Sequence, residues 1–157
     1  VEKHGGTVNK CIGDAVMCVF CQPLGCTGHA RQAVLTALEL QDLAARFRQG
    51  ASRRFPGLGP DSFRIGVGLH TGEALLGNIG SPERMEFTVI GDTVNTASRL
   101  EGLSKDLGWA IVASEEAFLA AGPGVLAGRR AVRHVKGKKE DVAVVEIVGI
   151  EKHQEAA

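Results

Sequence analysis

The sequence predicts an α+β fold, a mostly antiparallel sheet with helices packed on it. Three observations carry this: β-prone runs interleave with amphipathic helical stretches, several runs are close enough to pair as hairpins, and Gly, Pro and Asp stand at the joints. The 157 residues suffice for one domain with a sizeable core, and neither a repeat nor an internal boundary divides them.

Thr7–Ile12 and Ala15–Phe20 are predicted strands joined by a Gly13-Asp14 turn. A helix is predicted over His29–Phe47, where Ala30, Ala33, Val34, Ala37, Leu38, Ala44 and Phe47 recur near helical spacing. Gln49–Pro60, rich in Gly, Pro and Arg, reads as an exposed loop. Phe63–His70 reads as a strand, and Glu73–Asn78 with Glu86–Ile90 as a second hairpin whose connection holds Gly80-Ser81-Pro82. A helix over Asp92–Ser104 follows, with Asp92 as its expected cap. Ala110–Val112 is a short strand and Glu115–Ala121 a short helix. Arg130–Val135 and Val142–Val148 form the last pair around Lys136-Gly137-Lys138-Lys139, so the domain is expected over 1–149 with a flexible tail over 150–157.

Eighteen basic and eighteen acidic residues cancel, which argues against a nucleic-acid binder working through bulk charge. No apolar run approaches the roughly 20 residues of a membrane helix, and no membrane contact is expected. Cys11, Cys18, Cys21 and Cys26 lack the second closely spaced pair that a zinc site needs. Cys11, Cys18 and Cys21 lie in apolar runs and read as reduced, buried or half-buried thiols, zinc binding being the lesser alternative. The chain is therefore read as cytoplasmic.

Two stretches concentrate polar chemistry beside glycines: Gly5-Gly6-Thr7-Val8-Asn9-Lys10-Cys11-Ile12-Gly13-Asp14, and Glu86 through Leu100. Asp14, in a turn between strands, suits Mg²⁺, which takes one or two carboxylates plus phosphate oxygens; an ordinary turn aspartate is the plain alternative. Asn95 and Arg99 stand four apart in the predicted helix and so share a face. Arg offers a planar fork for phosphate, and Asn can orient a ribose oxygen or a water. Thr88 lies on the strand before that helix, able to read a base edge. Lys136, with Lys138 and Lys139, can meet a polyphosphate, or simply be a solvated turn. His70 reads as structural. Each signal is weak by itself.

Their order is specific. Gly-Gly-x-x-x-Lys-x-x-Gly-Asp, Gly-Leu-His-Thr-Gly, Thr-x-x-Gly-Asp-x-Val-Asn-x-Ala-x-Arg-Leu and Val-Lys-Gly-Lys together resemble the catalytic domain of class III adenylate/guanylate cyclases, from the first residue to about Gly149. The resemblance implies a ferredoxin-like palm, head-to-tail homodimers with the nucleotide at the interface, two Mg²⁺ or Mn²⁺ ions per site, and cyclisation of ATP to cyclic AMP in signal transduction. It makes Asp14 a metal ligand, Lys10 and Thr88 the base readers, Asn95 the ribose-orienting residue, Arg99 the stabiliser of transition-state charge and Lys136 a contact to the terminal phosphates. The Lys/Thr pair is similar to that of adenylate cyclases, whereas guanylate cyclases typically carry Glu and Cys there. Asp14 would serve one composite site, and Lys10, Thr88, Asn95 and Arg99 the other.

The family carries a second metal aspartate on a strand upstream of where this sequence starts. The sequence is thus expected to be a domain lacking its first strand and first helices, weakly active or inactive alone, exposing a sheet edge, and preceded by a sensor module in its parent protein. A non-catalytic homology module for nucleotide binding or dimerisation is the alternative. The intact Lys10, Thr88, Asn95 and Arg99 set favours the enzyme.

Overall fold

A computed structural model of the chain describes residues 1–20, 28–55, 57, 59, 63–134 and 141–151. A 3₁₀ turn over Glu2–His4 leads into strands β1 (Thr7–Ile12) and β2 (Ala15–Val19), then helix α1 (His29–Arg54) and strand β3 (Val67–Leu69). Strands β4 (Leu75–Ser81) and β5 (Arg84–Ile90) run into helix α2 (Asp92–Leu107). Strand β6 (Ile111–Ser114), helix α3 (Glu115–Ala120) and strands β7 (Val125–Arg133) and β8 (Val142–Ile150) complete the order.

The predicted α+β architecture is present. A four-stranded sheet in the order β3-β6-β8-β7 is flanked by the separate two-stranded ladders β1-β2 and β4-β5. Every pairing is antiparallel except β3 with β6, which run parallel with α2 in the connection between them.

Alternation along β6 and β8 divides the core into two layers. Ile111, Ala113, Val145 and Ile147 pack with Ala30, Val34 and Ala37 of α1 and with Ala117 of α3. Val112 and Val144 face the other way, against Leu100 of α2 and Trp109. Val112, Val144, Val145 and Leu100 are all fully buried, each contributing about 1.5–3 kcal/mol of transfer free energy.

On the second layer, α2 lies almost on the backbone of β3. A Cβ at Gly68 would collide with the Ala97 carbonyl oxygen and the Glu101 amide nitrogen, and one at Gly66 with the Ser104 hydroxyl. Only hydrogen fits there. His70, just beyond β3, shares a 2.8 Å hydrogen bond with the Ser114 hydroxyl, which also accepts from the Ala117 amide as the cap of α3. That is the structural use expected of His70.

Several boundaries differ from expectation. Helix α1 runs on to Arg54, through Gly50, where a loop was expected. The cost of one helical glycine, about 1 kcal/mol, is offset by continued backbone bonding up to Phe55 N–H→Ala51 O and by Arg53 and Arg54 beside the negative end of the helix dipole. Strand β3 is confined to Val67–Leu69, the length that pairs with β6. Asp92 does not cap α2: the cap position belongs to Gly91, with no side-chain capping bond. Strand β7 begins five residues earlier than expected, at Val125, because register shifts around Ala127 obscure the alternation. Strand β8 extends through Ile150, two residues past the expected Val148, and the Glu151 amide then donates to the Gly124 carbonyl at 2.7 Å.

Gly68→Ala should destabilise the fold by about 1–3 kcal/mol, since neither the strand nor the helix backbone can yield freely. Gly50→Ala, whose Cβ meets nothing within 4 Å, should instead stabilise by about 0.5–1 kcal/mol. Urea unfolding midpoints at constant m-value would check the opposed signs.

Candidate active site

The candidate site grows from an irregularity in the first hairpin. In β1, Val8 pairs with Cys18 and Lys10 with Met17, so Asn9 is an extra residue in the ladder. Such a bulge re-aims side chains that strict alternation would send to opposite faces. Here both Asn9 and Lys10 reach β5. Lys10 Nζ lies 2.7 Å from Glu86 Oε1. The Asn9 amide nitrogen donates to the Phe87 carbonyl at 3.3 Å, and the Thr88 hydroxyl donates to Asn9 Oδ1 at 3.2 Å.

Two residues apart on β5, Glu86 and Thr88 share one face. Thr88 is buried, and its cross-strand neighbour is Gly77, where a Cβ would meet nothing within 4 Å. Lys10 and Thr88, paired in the sequence analysis, are thus brought together through Asn9 and Glu86. The ammonium of Lys10 holds the Glu86 carboxyl below its ordinary value, first through the hydrogen bond and then through charge attraction. The same pairing orients Lys10 along the β5 face.

Strand β5 feeds α2 through Gly91, whose φ of 146° lies in a region side chains avoid. Thr93 fastens the first turn by donating to the Glu73 carbonyl at 2.6 Å, and Thr96 donates to the Asp92 carbonyl at 2.9 Å. Thr96, Leu100 and Ser104 are the buried face of α2. Asn95 is exposed, and Arg99, one turn on, is half-buried. Arg99 Nη1 is fully buried with no hydrogen-bond partner among the described residues. A buried, unpaired guanidinium nitrogen is costly, and an incoming anion would relieve it. An open groove of about 450 Å³ runs along Glu73, Ala74, Leu75, Ile90 and Gly91, at the start of the same helix.

Asp14 stands exposed at the tip of the β1–β2 hairpin. As a hard oxygen donor it suits a divalent cation that takes its remaining ligands from phosphate and water. Among the described residues no group of three or more His, Cys, Asp or Glu side chains stands ready to hold a metal. Lys136 lies outside the described residues, as do Lys138, Lys139, Cys21 and Cys26. Cys18 is half-buried as expected, and burial raises its thiol pKa. Cys11 is exposed, against expectation, as are Val8, Ile12 and Val16 of the same hairpin. Asn9 and Glu86, which hold Thr88 and Lys10, carry no motif that singles them out in the sequence. Glu86 has only its spacing of two from Thr88, and the bulge that recruits Asn9 leaves no signal.

The family model described as the adenylate and guanylate cyclase catalytic domain matches residues 1–147. The chain belongs to that family. This cyclase domain is 35% identical over 150 residues to adenylate cyclase 1 of Rhizobium meliloti, covering 96% of the domain and 22% of that protein. It is 31% identical to the adenylate cyclase of Anabaena cylindrica, covering 94% of the domain and 29% of that protein. The chain therefore spans less than a third of the length of either relative. Among solved structures, the adenylyl cyclase CyaB from P. aeruginosa matches with a TM-score of 0.79 at 30% identity, over 96% of this domain and 76% of that chain. The guanylyl cyclase Cya2 matches with a TM-score of 0.81 at 28% identity, over 98% and 75%. The α+β fold is that of cyclase catalytic domains, and relatives of both base specificities share it.

Glu86 in this cyclase domain should titrate below the ordinary glutamate range, so the pair with Lys10 persists as pH falls until the carboxyl protonates and frees the lysine. In Lys10→Met the Glu86 midpoint should move up to the ordinary range, as followed by carboxyl-carbon NMR. An unmoved midpoint would contradict the pairing.

Proposed function

We propose that this cyclase domain is an adenylate cyclase, converting ATP to 3′,5′-cyclic AMP and pyrophosphate. The observation that carries the reading is the convergence of Lys10 and Thr88 on one face of β5. Because relatives include both adenylyl and guanylyl cyclases, selectivity has to be argued from these base-facing residues rather than from the fold. Lysine can only donate, which suits the unprotonated ring nitrogen of adenine, and the threonine hydroxyl can meet the exocyclic amine. The resemblance of this pair to that of adenylate cyclases and the two adenylate cyclase relatives support it.

The reaction is in-line attack of the ribose 3′-hydroxyl on the α-phosphorus with loss of pyrophosphate. Asn95 orients the ribose. Arg99, with its unpartnered Nη1, neutralises charge that develops on the phosphates, and Lys136 meets the terminal phosphates. Asp14 holds the divalent cation, Mg²⁺ or Mn²⁺, which supplies charge neutralisation at the attacking and leaving oxygens when bound. The acting unit is a head-to-tail homodimer: Asp14 of one subunit completes the site that carries Lys10, Thr88, Asn95 and Arg99 of the other. Apolar side chains exposed on both hairpins, including Ile12 and Val16 on one and Leu75, Met85 and Phe87 on the other, support association through these elements. The domain works in the cytoplasm, in signal transduction behind a sensor module.

The test is product analysis of the full-length protein containing this domain, with ATP or GTP and Mg²⁺ or Mn²⁺. Cyclic AMP from ATP is expected, and Arg99→Ala should lower kcat about 10²–10³-fold. Predominant cyclic GMP, or no product from either nucleotide, would overturn the reading.

Mixing the separately inactive Asp14→Ala and Arg99→Ala variants should restore activity. Random pairing makes half the dimers mixed, each with one intact site of two, so about a quarter of wild-type activity is expected. A mixture as silent as its components would refute the composite site.

A further inference from the structure

We propose that Asn9 is a specificity-determining positioning residue: its amide oxygen accepts the hydrogen bond of the Thr88 hydroxyl and so leaves that oxygen facing the nucleotide base as an acceptor. The inference rests on the adenylate cyclase reading above and adds to it a residue which that reading does not use.

A hydroxyl has one proton and two lone pairs, so an undirected threonine can donate or accept. An undirected Thr88 would tolerate either an amine or a carbonyl at the six-position of a purine. Adenine has the amine there and guanine the carbonyl. In this structure Thr88 is directed, because its proton points at Asn9 Oδ1, 3.2 Å away. Only the lone pairs are left for a ligand. They suit adenine's amine and repel guanine's carbonyl.

The direction holds only if Asn9 cannot turn over. Its amide nitrogen donates to the Phe87 carbonyl at 3.3 Å, and a flipped amide would face that carbonyl with its own oxygen and Thr88 with its nitrogen. The oxygen therefore stays toward Thr88. The bulge puts Asn9 within reach of β5, as the residue with no partner of its own in the β1–β2 ladder. The strand opposite does not fill the position across from Thr88: Gly77 has no side chain, and a Cβ there would meet nothing within 4 Å. Lys10, anchored by Glu86 on the same face of β5, supplies the donor that the neighbouring ring nitrogen of adenine needs.

The experiment compares ATP and GTP as substrates for the full-length protein containing this domain, in the wild type, Asn9→Ala, Asn9→Asp, Thr88→Val and the Asn9→Ala/Thr88→Val double variant. Unfolding midpoints and equilibrium dissociation constants for both nucleotides are measured alongside. Asn9→Ala should cut the ATP-over-GTP ratio of kcat/KM about tenfold, mainly through the KM for ATP. Asn9→Asp loses the bond to Phe87 and should destabilise the fold as the alanine does. It keeps an acceptor for Thr88, so its selectivity should stay within about twofold of wild type. In the Thr88→Val background, Asn9→Ala should add less than twofold. If Asn9→Ala leaves an ATP-selective enzyme as selective as before, or if its effect is undiminished without the Thr88 hydroxyl, the proposal falls while the adenylate cyclase reading stands. A selectivity loss in Asn9→Asp as large as in Asn9→Ala would also overturn it, by tying selectivity to stability rather than to the acceptor. A wild type without preference for ATP overturns the base reading itself, and this proposal with it.

Discussion

The arrangement of this domain depends on how closely α2 can lie on β3. Gly68 brings strand backbone against helix backbone at Ala97 and Glu101, and Gly66, just before the strand, makes room for the Ser104 side chain. With that contact made, Leu100 reaches Val112 and Val144, and the sheet's second face is closed. Any larger residue would lift the helix, and with it the face that carries Asn95 and Arg99. The helix is fixed at its start as well, by Gly91 and by the bond from Thr93 to the Glu73 carbonyl. Stability and the placement of the site's polar groups therefore rest on the same few atoms.

Around this rigid part the two hairpins are built differently. The β4–β5 ladder is regular and the β1–β2 ladder carries the bulge at Asn9, and both leave large apolar side chains uncovered and hold each other through a few polar contacts. The pair Lys10–Glu86 is one, with Glu86 largely exposed. Exposed ion pairs add little stability, because solvent screens them and long side chains lose entropy. Their value here is directional. The ammonium, the amide and the hydroxyl are aimed along one face of β5 before any ligand arrives. Preorganisation of this kind lowers the ordering cost of binding.

Burial follows the same division. Strand β6 is enclosed along its whole length, whereas Phe87, Met85 and Leu75 are more than half exposed. A chain able to bury Val112 and Val144 completely has no folding requirement to leave a phenylalanine in water. Phe87 and Met85 lie on β5, the strand that carries Thr88, and Leu75 lies on its partner β4.

Local chemistry set much of this protein in advance. The Gly13-Asp14 turn, the apolar stripe of α1 and the run into α2 depend on neighbours within one or two turns of chain, and each occurs close to where the sequence placed it. Lys10, Thr88, Asn95 and Arg99 could be singled out as a set because their order and spacing resemble the motif of the cyclase family, whereas each alone is a weak signal. What depends on distant partners was not readable. The extension of α1 past Gly50, the contraction of β3 and the early start of β7 are all decided by pairing or backbone bonding that overrides propensity. The use of Asn9 and Glu86 depends on a bulge in one hairpin meeting a strand nearly eighty residues away. Sequence determines which groups are available; only tertiary packing decides which proton faces which oxygen, because that choice is made between strands far apart in the chain.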